Sequence, residues 1–149
     1  LHTRVPVVLP ERVDPQLLAL LGRLRTRVVV VIHANHAREI DASVTGALRA
    51  LGSVTGPVLN QSVLLRGVND SAEAISDLSR TLFDAGVTPY YLHQLDPVSG
   101  AAHFAVTDAD ALRLMSVVAK TLPGYLVPKL VRETAGEPAK TLLGSFGAT

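Results

Sequence analysis

The run Val28-Val29-Val30-Val31-Ile32 restricts the fold more than any other stretch of the chain. Strand side chains alternate between two faces, so an unbroken apolar run needs cover on both, as in a parallel sheet packed between other layers. The strand it predicts covers residues 27–32. Similar runs predict strands over residues 4–9, 58–65, 87–92 and 125–131. Helix signals lie between them. Asp14-Pro15 combines an N-cap acid with proline at the first helical position, and the leucines at 17, 18, 20, 21 and 24 follow. Residues 41–51 read as a helix stopped by Gly52. Asp70 and Glu73 cap a helix over 71–85 that ends at Gly86, and Thr107 with Asp110 caps one over 109–122, ended by Pro123-Gly124. Five strands alternating with four helices are the signature of a βαβ sheet with right-handed crossovers. No Gly-x-Gly-x-x-Gly follows a strand, which weakens a dinucleotide-binding reading. The expected fold is α/β, an open or partial (β/α) barrel, with residues 1–149 forming one domain. Five strands do not close an eight-stranded barrel. The first residue is not Met and the chain enters a strand almost at once, so an upstream part is expected.

Composition narrows the function. At 149 residues the chain can bury a real core, and 48% of it is hydrophobic. A net charge of +1 without basic clusters argues against a nucleic-acid or membrane-surface partner. No apolar run is long enough to span a bilayer, and the opening Leu-His-Thr-Arg-Val lacks a signal-peptide pattern. The absence of cysteine excludes disulfides and cysteine-ligated metal within these residues. A cytoplasmic location is the expectation.

Chemistry in a parallel α/β sheet gathers at the carboxyl ends of its strands. Asn60, Gln61 and Ser62 interrupt an apolar strand, and each costs about 1–3 kcal/mol if buried unpaired. Backbone or water partners would satisfy any one of them; three in a row suggest a strand lining a polar cavity. Arg66, Asn69 and Asp70 follow in the next loop. Elsewhere, His33 and His36 follow the second strand, His93 and Asp96 the fourth, and Glu133, Glu137 and Lys140 the fifth. Each has an ordinary alternative. The histidines lack an obvious third metal ligand. Asn69-Asp70 suits a turn and cap, and Asp96 before Pro97 suits a turn. Glu133, Glu137 and Lys140 could be solvated tail charges. Their coincidence at one face carries more weight than any one alone.

Six segments together resemble one family. They are Arg4-Val-Pro-Val-Val-Leu-Pro, His33-Ala-Asn-His-Ala-Arg-Glu-Ile, Asn60-Gln-Ser-Val-Leu-Leu-Arg-Gly-Val-Asn-Asp, Pro89-Tyr-Tyr-Leu-His-Gln-Leu-Asp, Gly100-Ala-Ala-His-Phe and Gly124-Tyr-Leu-Val-Pro-Lys, with Lys140-Thr close behind. In order and spacing they resemble lysine 2,3-aminomutase, a radical S-adenosylmethionine enzyme that also uses pyridoxal phosphate. The Tyr-Leu-His-Gln-Leu-Asp and Gly-Glu-Pro-Ala-Lys-Thr forms are most similar to the bacterial branch that makes (R)-β-lysine for elongation factor P modification.

The resemblance implies roles. Lys140 matches the lysine that forms a Schiff base with pyridoxal phosphate, Asp96 an acid that holds an amino group of the substrate L-lysine, and His33 and Gln61 contacts to S-adenosylmethionine. Glu133 stands where relatives carry an Asp with the same duty as Asp96, lengthened by one methylene. The implied reaction moves the amino group of L-lysine from C2 to C3, using an adenosyl radical generated by a 4Fe-4S cluster. The family's Cys-x-x-x-Cys-x-x-Cys motif is absent, so the resemblance implies the C-terminal half of the radical-enzyme barrel, with cluster ligands upstream and no catalysis by these residues alone. No zinc is expected, and a homo-oligomer stays open. Two other function classes also stay open: a non-catalytic α/β small-molecule-binding module, and a pyridoxal-phosphate enzyme that needs no radical. An aminomutase for another amino acid, such as glutamate, is a further alternative.

Overall fold

The computed structural model describes residues 1–96, 100–134 and 136–144. In chain order these form β1 (His2–Thr3), α1 (Val5–Val8), α2 (Pro15–Arg23), β2 (Val30–His33), α3 (Ala42–Val54), β3 (Val58–Val63), α4 (Ala72–Asp84), β4 (Val87–His93), α5 (Asp108–Thr121), β5 (Lys129–Arg132) and β6 (Thr141–Leu142). The strands make one six-stranded sheet whose spatial order is the chain order. Pairings from β1 to β5 are parallel, and β6 returns antiparallel to β5.

Sequential order matters for layering. Successive right-handed crossovers in one direction place every helix on the same face of the sheet. The core agrees. Val30, Ile32, Val58 and Val87 pack with Val44, Leu48, Leu51, Leu78 and Leu82 from α3 and α4. Leu64, Leu92 and Leu130 pack with Ile75 of α4 and with Ala111, Met115 and Val118 of α5. By alternation, His33, Gln61, Val63, His93 and Val131 point to the opposite face.

A bulge in β4 sets that parity. Asn60 is opposite Pro89, but Gln61 is opposite Tyr91, so Tyr90 is an extra residue. Val87 and Leu92 therefore both face the helices although an odd number of positions separates them. His93 consequently lands on the open face.

Several local expectations need correction. Residues 4–9 are not a strand: Val5–Val8 is a short helix, and His2–Thr3 supplies the strand. Pro6 and Pro10 remove ladder donors, and Thr3 accepts from Val5 N at 3.1 Å to start the turn. Gly52 does not stop α3, which continues to Val54. The cap of α4 is Ser71, not Asp70; Asp70 instead accepts from Gly67 N at 2.9 Å. Residues 124–126 form a 3-10 turn before β5. The tail after Arg132 contributes β6, which its polar composition hid. The caps at Asp14 and Thr107 stand as the sequence predicts, and Asp41, read as the first helical residue, is instead the cap of α3.

Candidate active site

Three asparagines brace the strand ends that carry the site. Asn60 Oδ1 accepts from Ala34 N at 2.9 Å, and its Nδ2 donates to Ala34 O at 3.1 Å and to Ser62 Oγ at 3.0 Å. Asn35 Oδ1 accepts from Val63 N at 2.9 Å. Asn69 Oδ1 accepts from Leu65 N at 2.8 Å, while its Nδ2 donates to Asn35 O and Val63 O, both at 2.9 Å. Backbone groups left without ladder partners where β2 and β3 end are thus satisfied by side chains. Of the three adjacent polar residues, Gln61 and Ser62 border one cavity and Asn60 does not. Strand alternation sends the Asn60 and Ser62 side chains to the helix face, where they pair with each other and Asn60 with backbone.

Gln61 faces the other way. Its Nε2 lies 3.1 Å from His33 Nε2. These two, with Ser62, Val63, His93, Gln94, Leu95, Asp96 and Glu133, line a cavity of about 260 Å³ at the carboxyl end of the sheet. Two buried polar atoms there have no partner among the described residues: Gln61 Oε1 and His93 Nε2. A second, larger cavity of about 740 Å³ shares Asp96 and Glu133 with the first. The two acids stand between the two spaces.

Lys140 reaches this place through the β5–β6 hairpin. Arg132 is opposite Thr141, so the next cross-strand pair is Glu133 with Lys140. Lys140 Nζ donates to Glu133 Oε2 at 2.9 Å. That bond holds the Glu133 carboxyl below the usual carboxylate range. Lys140 Nζ also sits 5.9 Å over the Tyr91 ring, which meets the His93 ring edge-on at 5.8 Å. His93 Nδ1 lies 4.0 Å from Glu133 Oε2.

Burial lowers the pKa of His93; Lys140 pushes the same way, and Glu133 and Asp96 oppose it. Burial also lowers the pKa of His33, aided by His2 and Arg4. Both imidazoles titrate below their ordinary value of 6.5, so folding binds fewer protons there than the unfolded chain does. Their stabilisation is complete above the unfolded pKa and is lost as pH falls through the folded one. The urea midpoint of the intact protein is expected to drop between about pH 7 and pH 5, and His93→Gln to flatten that slope. An unchanged slope in the variant would place the titration elsewhere.

A carboxylate–guanidinium–amide cluster fixes the outer wall. Arg132 and Gln94 both donate to Asp108, which opens α5; Arg132 Nη1 reaches Oδ2 and Gln94 Nε2 reaches Oδ1, each at 2.9 Å. Glu133 follows Arg132 directly, and Asp96 lies two residues after Gln94. The structure thus brings together His33, Gln61, His93, Asp96, Glu133 and Lys140. It does not bring His36, which accepts from Arg38 N and starts a 3-10 turn. Arg66 and Asp70 line a separate surface hollow, Asn69 is a brace, and the Glu137 side chain is exposed. Pro97 lies outside the described residues. Sequence reasoning missed Tyr91 and the Asp108–Arg132 pair; the parity of residues 61, 91 and 93 was hidden by the bulge.

No family model matches the chain. It is 49% identical to the L-lysine 2,3-aminomutase of Haemophilus influenzae over 142 residues, which covers 95% of this chain and 42% of that protein. It is 49% identical to the enzyme of that name from Escherichia coli over 143 residues, 96% of this chain and 42% of that one. The chain belongs to the L-lysine 2,3-aminomutase family. Identity to the Clostridium subterminale member is 36% over 139 residues, 93% of this chain and 33% of that one. The chain therefore spans about two fifths of the length of the Haemophilus influenzae and Escherichia coli aminomutases. A radical SAM methyltransferase from Sphaerobacter thermophilus superposes with a TM-score of 0.57 at 19% identity, over 78% of this chain and 37% of that one. That likeness concerns the fold alone, an α/β fold with a parallel sheet. Among the described residues, no helix is long and apolar enough to cross a membrane.

Proposed function

We propose that this chain is the C-terminal part of an L-lysine 2,3-aminomutase, the part that holds the amine-bearing ends of the reactants. The observation that supports it is the meeting of one amine, Lys140, with two acids, Asp96 and Glu133, at the carboxyl ends of β4 and β5. Two carboxylates beside one cavity suit a substrate with a cationic side chain, whereas a dicarboxylic amino acid would be repelled.

Pyridoxal phosphate fits the residues present. Lys140 is half-buried against an aromatic ring, and His93 Nε2 is a buried polar atom with no partner among the described residues. S-adenosylmethionine fits at His33 and Gln61, where Gln61 Oε1 likewise lacks a partner among the described residues. When bound, the first would supply covalent attachment of an amino group and the second a carbon radical that takes hydrogen from the substrate. A cysteine-held cluster does not fit the residues of this chain, which has no cysteine. The residues here bind and orient. Lys140 supplies the amine, Asp96 and Glu133 hold a cationic group, and the Tyr91–His93 wall limits how the bound groups tilt.

Supply of β-lysine for elongation factor P modification is the proposed role. It rests on the forms around residues 90–96 and 136–141 and on the higher identity to the Escherichia coli and Haemophilus influenzae proteins. Assaying the intact protein on L-lysine and L-glutamate tests the activity. Conversion of lysine to β-lysine is expected; turnover of glutamate without lysine would overturn the reading.

A further inference from the structure

Among the described residues, four charged side chains line the larger cavity: Asp96, Asp108, Arg132 and Glu133. Asp96 and Glu133 also face the inner cavity, whereas Asp108 and Arg132 line only the outer one. Arg132 precedes Glu133 directly in the chain, and a guanidinium stays charged at any working pH. Left free beside two carboxylates, it would pair with them. The structure turns it elsewhere. Arg132 gives both terminal nitrogens to Asp108, Nη1 to Oδ2 at 2.9 Å and Nη2 to Oδ1. That bond to Arg132 holds the Asp108 carboxyl below the usual carboxylate range. Asp108 is itself fixed in place. It opens α5 beside the Thr107 cap, and Gln94, which is 4% exposed, donates to its Oδ1 at 2.9 Å.

We infer that Asp108 is a positioning residue for the cation subsite: it keeps Arg132 off Asp96 and Glu133, so that both acids stay available to the substrate's side-chain ammonium. This deepens the function proposed above and rests on it. The guanidinium and the substrate ammonium carry the same charge and suit the same carboxylates. A cation tethered to the chain competes at high effective concentration, because it need not be captured from solution. Geometry gives Asp108 the advantage over the other two acids. Its two oxygens match the two Nη groups of the fork, and such paired bonds are stronger and more directional than a single contact. The first turn of a helix holds that acceptor still. The Asp108–Arg132 pair is only half buried, with side chains 45% and 42% exposed, so it adds little to the stability of the fold. What it changes is where the charge of Arg132 sits. Removing Asp108 therefore acts on the substrate through Arg132, and the effect vanishes when Arg132 is removed as well.

The test uses the intact protein that carries this chain, with pyridoxal phosphate bound. It measures equilibrium binding of L-lysine and of L-norleucine, which lacks the side-chain ammonium. Asp108→Asn keeps the shape and an oxygen for Gln94 but removes the charge that holds Arg132. Lysine binding should weaken about tenfold or more, while norleucine binding stays within about twofold of the parent. Adding Arg132→Gln to Asp108→Asn removes the competitor, and lysine binding should return to within about threefold of the parent. Lys140, which also donates to Glu133, is the same in every variant and cancels from the comparison. A thermal melt of each variant checks that the fold is intact. A purely structural role for the pair would give the opposite pattern: norleucine binding falls with lysine binding, and the double variant binds lysine no better than Asp108→Asn. Either result, or unchanged lysine binding in Asp108→Asn, would overturn the inference. The parent protein separates the two levels. If it binds lysine no more tightly than norleucine, the acids are not a cation subsite, and the functional reading fails and the inference with it. If it prefers lysine but the double variant does not recover, only the inference fails.

Discussion

Lys140→Ala is expected to abolish covalent capture of pyridoxal phosphate by the intact protein and to cut turnover of L-lysine by roughly a thousandfold or more. The size follows from what the residue does rather than from what it stabilises. Lys140 sits in the loop just before a two-residue edge strand, and its side chain is only half-buried. Its contacts are a hydrogen bond to a largely exposed carboxylate and the face of Tyr91. Removing an exposed ion pair costs a fold little. Stability should therefore stay close to that of the parent while the chemistry is lost. The checks are the visible absorbance of the lysine adduct and a thermal melt on the same sample. An adduct band that survives in the variant would move the anchoring amine elsewhere in the protein.

Asn60→Ala is expected to show the reverse pattern, a large loss of stability from a residue that touches no reactant. Asn60 is 2% exposed, and Ala34, whose N–H and C=O it satisfies, is fully buried. Truncation strands both backbone groups where water has little access. Each buried unpaired group costs about 1–3 kcal/mol, so a total loss of about 2–3 kcal/mol is expected after partial relaxation. Urea unfolding of parent and variant measures it as a shift in midpoint at constant slope. A loss well under about 1 kcal/mol would mean that Ala34 finds other partners. Affinity for ligands near His33 and Gln61 should fall as well, because Asn60 pins the exit of β2 against β3.

Much of this architecture was legible in the chain. The valine run at 28–32 and the caps at Asp14 and Thr107 were sufficient for an alternating α/β sheet, since local preference and burial agree there. Legibility failed where a tertiary partner outweighs local preference. Val5, Val7 and Val8 favour a strand, yet two prolines forbid the ladder and the segment coils. β6 is two residues long and exists only because β5 offers an edge. The site residues were legible as residue types at strand ends; their mutual geometry was not. That geometry depends on an extra residue at Tyr90, which no periodicity reports in advance, and on a hairpin register that pairs residues 133 and 140. Asn60 was misplaced for the same reason: adjacent polar residues look like one group in a list and lie on opposite faces in a strand.

The short return strand has one more consequence. Among the described residues β6 is the outermost strand of the sheet, exposed along both of its residues, and just beyond it Leu143 N donates to Leu130 O at 2.9 Å. Such margins open locally long before a domain unfolds. Amide protons of residues 141–143 should thus exchange well ahead of those in β2 to β4. A ligand bonded to Lys140 and seated against β4 would rivet this loose hem to the body of the sheet, and the exchange rates there would fall with occupancy.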